Sequence, residues 1–136
     1  MHTAMTTELY WLIMSCLMTA LLFVPYILNR MREHGIGAAL WNPQPDTRPK
    51  ARWAERLMRA HANAVENLVV FAPLVLALQI LGISTALTAG ASMVYFFVRF
   101  AHAILYTIAV PLLRTVAFVI GFSCQMALAL TLLHII

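Results

Sequence analysis

The stretch ENLVVFAPLVLALQILGISTALTAGASMVYFFVR, Glu66 to Arg99, decides the fold. Between its two charged ends lie 32 residues without a charged side chain. As one helix they would measure about 48 Å at 1.5 Å per residue, too long for a hydrocarbon core about 30 Å thick. Gly82-Ile83-Ser84-Thr85 offers a break: Gly82 can take the left-handed C-terminal position, and Ser84 or Thr85 can cap a following helix. The stretch reads as two membrane spans joined by a tight turn.

Working outward, Leu9 to Leu28 is uncharged and long enough to cross the core. Tyr10 and Trp11 mark one interface and Asn29–Arg30 the other, with Pro25 a kink point near the end. On the C-terminal side, Pro111 suits the first turn of a helix, and Thr115 to Ile136 is again uncharged. Residues 31–50 carry Gly35, Gly37, Pro43, Pro45 and Pro49, which break helices. These signals predict an all-α, integral-membrane four-helix bundle forming a single domain over residues 1–136. The spans fall at about 9–29, 56–82, 85–108 and 112–135, with a loop over about 30–55.

Composition agrees. The chain is 62% hydrophobic and 10% charged, where soluble proteins run near 45–50% and 25%. The net charge of +4 does not make a nucleic-acid face, because seven of the nine basic residues sit together between two apolar runs. That clustering marks a cytoplasmic loop and places both termini on the opposite side. No basic residue precedes the first apolar run and no small-residue cleavage site follows it, so it reads as a retained span. Cys16 and Cys124 lie within apolar runs without a His or Cys at ligand spacing, so the expectation is two small buried hydrophobes and no metal site.

Some polar residues sit too deep. Counted from Ile83, Glu66 and Arg99 are both about 25 Å from the turn. Ionisable groups at that depth are expensive and usually functional. Arg59, Asn63 and Glu66 share one helical face, as do Arg99, His102 and Tyr106. Matching heights predicts Glu66–Arg99, Asn63–His102 and Arg59–Tyr106 rungs across a polar cleft open to the cytoplasm. Arg59 and Arg114 have a plainer reading as positive residues at helix ends, Tyr106 as an interfacial anchor, and Glu66 with Arg99 as a structural ion pair. His61 points away from the first set and reads as structural. Together the residues favour a site for an anionic ligand. No broken helix or polar lining is legible along the spans, which argues against a channel or transporter.

Two segments carry a family resemblance. AERLMRAHANAVENLVVFAP (Ala54–Pro73) and RFAHAILYTIAVPLLRTVAF (Arg99–Phe118) resemble the second-helix and third-to-fourth-helix signatures of the MAPEG family, the membrane-associated proteins of eicosanoid and glutathione metabolism. The resemblance, to a bacterial-type member, covers almost the whole chain. It implies a homotrimer, multi-pass in a bacterial inner membrane, binding glutathione between subunits near the cytoplasmic side. Arg59, Asn63, Glu66, His102, Tyr106, Arg114 and Thr115 match the family's glutathione contacts. Arg99 matches a structural or binding arginine, and Arg30 aligns loosely with another. By resemblance Arg114 and Thr115 are the candidates to stabilise a glutathione thiolate, which would attack a small apolar electrophile entering from the lipid bilayer, or reduce a hydroperoxide. Ala62 stands where some members have a second arginine, and Phe118 where some active members have tyrosine. The segment between Tyr106 and Arg114 is one residue shorter than in the eicosanoid synthases. These departures leave the fold untouched, argue against eicosanoid synthesis, and weaken the glutathione-transferase expectation without removing it. The alternative is a non-enzymatic scaffold binding a lipid headgroup or a partner helix.

Overall fold

A computed structural model describes residues 4–41 and 48–136. Pro43, Pro45 and Asp46, part of the expected loop, lie outside the described residues. The elements are α1 (Thr7–Leu21), α2 (Phe23–His34), α3 (Ile36–Leu40), α4 (Arg52–Leu81), α5 (Ala86–Thr107) and α6 (Pro111–Leu132). Helices α1 and α2 continue one another over Thr7–His34, and this unit with α4, α5 and α6 gives, among the described residues, four helices long and apolar enough to cross a membrane. The protein is an all-α integral-membrane four-helix bundle.

Local chemistry sets the element ends. Thr6 caps α1 by accepting from the Leu9 N–H at 3.2 Å. The α1–α2 break at Leu22 falls where Pro25 has no N–H to offer the Leu21 carbonyl. Helix α2 then runs through Asn29 and Arg30 to His34, past the expected start of the loop, and α3 adds a helical piece within it. Glu33 explains the extension. Its carboxylate accepts from Asn29 Nδ2 at 3.1 Å, and from the backbone N–H groups of Lys50 and Ala51, both at 3.0 Å. Ala51 has no capping side chain, so Glu33 supplies an acceptor for the start of α4 and ties α2 to it.

The α4–α5 turn forms as its sequence implies. Gly82 is left-handed at φ 67°, the Ile83 N–H reaches the Leu78 carbonyl at 2.9 Å, and Thr85 with Thr88 makes a reciprocal capping box. At the α5–α6 turn Ala109 takes the left-handed position at φ 62°, with Val110 N–H bonding to Leu105 O at 2.9 Å. Pro111 opens α6.

The apolar core gathers Leu12, Phe71, Val75, Leu78, Tyr95, Cys124 and Leu128, with Phe71 and Tyr95 stacked at 3.7 Å. Large apolar side chains such as Val69, Ile80 and Leu112 face outward, as lipid requires. Cys16 is also exposed on this outer face, against the expectation of a buried position, whereas Cys124 is buried. The bundle interior is more polar than the uncharged spans imply. Glu8, Ser15, Thr19, Thr88, Ser92 and Gln125 are all buried, so polar groups follow the bundle along its length. At the α4–α5 turn, the Glu8 carboxylate accepts from Thr88 Oγ1 and, at 3.0 Å, from Ser84 Oγ. Thr6 Oγ1 donates to Gln79 Oε1 at 2.7 Å. These bonds pin α1 to the turn, where an unpaired polar group in lipid would be costly. A helix period finds apolar faces, but single hydroxyls and amides inside an uncharged run leave no periodic trace.

Candidate functional site

The other end of the bundle holds the deep cation. Arg99, on α5, is 2% exposed, and its Nη2 donates to Asn63 Oδ1 on α4. Arg99 Nε and Nη1 find no partner among the described residues, and neither does His102 Nδ1 one turn further along α5. A guanidinium carries five N–H donors and no acceptor, so the two Arg99 nitrogens call for a negatively charged or carbonyl oxygen. Phe118 of α6 lies beside both, its ring centroid 5.9 Å from the Arg99 guanidinium carbon and 6.2 Å from the His102 ring. Tyr106 is 5.8 Å from the His102 ring, and the Arg114 guanidinium sits over the Tyr106 ring at 4.5 Å. The α5–α6 turn thus folds Arg114 back over α5, extending a cationic line from Arg99 past His102 and Tyr106.

The expected rungs do not form within one chain. Asn63 meets Arg99, not His102: the long arginine stem reaches a full helical turn along the bundle to its side-chain oxygen. Arg59 pairs with Glu55 at 3.0 Å on the exposed surface, not with Tyr106. Glu66 is exposed and makes no ion pair with Arg99 of its own chain. The reason is rotational. The buried face of α4 runs through Ala60, Ala64, Phe71, Val75 and Leu78. Glu66, two residues after Ala64, lies about 200° around the helix. Arg59, Asn63 and Glu66 do form one stripe, but its ends look away from the bundle while Arg99 and His102 look in.

Near this outer stripe lies a depression of about 400 Å³, lined by Arg48, Pro49, Glu55, Met58, Arg59 and Ala62. Thr115 is exposed at the start of α6, its hydroxyl donating to the Pro111 carbonyl at 3.0 Å. Arg30 is half-buried on α2, the element that Tyr26 ties to α4 through a 2.8 Å bond between its hydroxyl and His61 Nδ1. His61 thus faces α2 rather than the Arg59–Asn63–Glu66 stripe.

Several supporting residues were not singled out from the sequence. Asn67 Nδ2 donates to Asn63 O at 2.9 Å and lies 3.3 Å from Asn63 Oδ1, while Gln125 Nε2 donates to Asn67 O at 3.0 Å. This chain of amides links α6 to the Arg99 partner. Gly121 admits the arginine stem: a Cβ there would stand 3.2 Å from Arg99 Cδ. The spacing of Gly121 and Gln125, one turn apart on α6, is the only signal the sequence carries for either.

Four spanning helices enclosing a buried arginine, with further cations at one end, define an integral-membrane protein. The family model of MAPEG matches residues 8–134, and the chain belongs to the MAPEG family, the membrane proteins of glutathione and eicosanoid metabolism. No curated protein and no solved structure matches the chain.

Proposed function

We propose that the protein conjugates glutathione to small apolar electrophiles drawn from the bilayer, working as a homotrimer with its sites between subunits. The observation that carries this reading is the buried Arg99, held by Asn63 yet left with two guanidinium nitrogens and a neighbouring His102 nitrogen without partners. The guanidinium donors fit a carboxylate or carbonyl of a peptide-like anion. Glutathione has two carboxylates and one ammonium. Arg59 and Arg99 supply cations for the carboxylates, and Glu66 an anion for the ammonium.

The face carrying Glu66 supports the subunit arrangement. An exposed carboxylate within a spanning helix is expensive against lipid and calls for a polar neighbour. A second copy packed on the α4 stripe would cover Glu66 and Arg59 and bring Arg30 and Thr115 within reach of a shared cleft. The number three comes from the family resemblance.

Bound glutathione supplies a thiol, which forms a carbon–sulfur bond to the electrophile as the leaving group departs and the thiol proton passes to solvent. Arg114, fixed over Tyr106, provides the positive charge that favours thiolate over thiol, and the Thr115 hydroxyl a hydrogen bond once it turns from the Pro111 carbonyl. The apolar outer face excludes water and admits apolar partners. Purified protein with glutathione and a model aryl halide tests the reading. Wild type is expected to turn over and Arg114→Ala to lose about 100-fold, the scale of removing one electrostatic stabiliser. Undiminished turnover in the variant would remove Arg114 from the mechanism.

Phe118 favours a second reading, a non-enzymatic scaffold for a lipid headgroup or partner helix, because it places no hydroxyl beside His102. Absence of turnover in wild type, with an anionic lipid retained after gentle extraction, would support it.

A further inference from the structure

Away from the α4 stripe, the bundle carries a groove between α1–α2 and α5. Its inner part, about 320 Å³, is lined by residues including Met14, Leu17, Met18, Phe96 and Phe100. The next part, about 260 Å³, shares Leu22, Pro25 and Phe100 with it and adds Trp53 and Leu57 from α4. A third hollow continues from Pro25 and Trp53 to Leu28, Asn29 and Arg32. The wall chemistry changes along the way, from wholly apolar in the interior to an amide and a guanidinium at the mouth.

The fold makes this groove. Helix α1 packs on both α4 and α5, but beyond the break at Leu22 helix α2 packs on α4. The chain thus leaves α5 where Pro25 interrupts the helical hydrogen bonds, and the space between is not refilled. From Pro25 back to Met14 is about 16 Å along the helix at 1.5 Å per residue, roughly one leaflet of a core about 30 Å thick. Trp53 stands at the mouth, where indole rings mark the headgroup level. Arg32 is exposed beside it, at the end of the bundle where Arg30, Lys50, Arg52 and Arg56 also lie.

We propose that this groove is a binding site for an anionic phospholipid: one acyl chain lies along Met14–Phe100–Leu57, and the headgroup phosphate sits against Arg32. Length and charge together select this occupant. A neutral lipid would leave the basic rim unused. The site stands independently of the glutathione reading, since none of the glutathione-contact residues lines it.

Native mass spectrometry of the delipidated, detergent-purified protein tests the proposal, titrating phosphatidylglycerol against phosphatidylcholine of the same chains. Wild type is expected to retain phosphatidylglycerol preferentially. Arg32→Gln should cut that retention roughly fivefold, the effect of one cation at an anionic surface, and leave phosphatidylcholine unchanged. Leu17→Trp, which places an indole in the slot from its exposed edge, should reduce retention of both lipids. Circular dichroism and gel filtration establish that each variant is folded. Equal retention of the two lipids by wild type, or folded variants indistinguishable from wild type, would overturn the proposal and leave ordinary boundary lipid.

Discussion

Arg99 illustrates how depth and burial convert one side chain into a site. Its guanidinium is too deep for water and is held by a single side-chain oxygen, that of Asn63. Removing that oxygen leaves a further buried donor on a cation, a loss of about 1.5–3 kcal/mol. Asn63→Ala is therefore expected to lower the melting temperature of the detergent-solubilised protein by several degrees. An unchanged melting temperature would mean that Arg99 is satisfied some other way. The depth of Arg99 was legible in the sequence, because a charge flanked by a spanning run has a calculable height. Its partner was not. Height along two helices fixes which residues are level, but rotation about each axis and the reach of a long side chain decide which ones touch. Glu66 shows the first effect and Asn63 the second. Gly121 and Gln125 escaped for a different reason: they matter through what surrounds them on α5 and α4, and an uncharged run says nothing of that.

At the scale of elements, the two turns between α4, α5 and α6 set the site's geometry by different means. Gly82 and a cap at Ser84 or Thr85 were read from the sequence, whereas Thr88, which completes the box with Thr85, was not. The α5–α6 turn uses Ala109 in the left-handed region, where an L side chain costs about 1 kcal/mol or more. Ala109→Gly removes that cost and is expected to stabilise the protein by about 1 kcal/mol against thermal unfolding. A destabilised variant would show that the methyl group is held by contacts worth more than the strain. This turn brings Arg114 back over Tyr106. Helix α2 was the element least legible: its continuation past Arg30 depends on Glu33 meeting backbone donors at residues 50 and 51, a long-range contact that no local pattern announces.

At the scale of the molecule, the protomer has two outer faces with different demands. Most of it is apolar and suits lipid, whereas the α4 stripe carries Arg59 and Glu66 outward with a depression beside them. A lone protomer would expose Glu66 to hydrocarbon, while a site shared between copies would use it. The central claim is that this stripe and the buried Arg99 together bind glutathione. Calorimetry of glutathione with detergent-purified wild type and Glu66→Gln tests it most directly, since Glu66 is exposed and its substitution spares the folded protomer. Saturable binding to wild type, weakened at least about tenfold in the variant by loss of one charge-assisted contact, is the predicted result. No binding to wild type at millimolar glutathione, or equal binding by both proteins, would contradict the account.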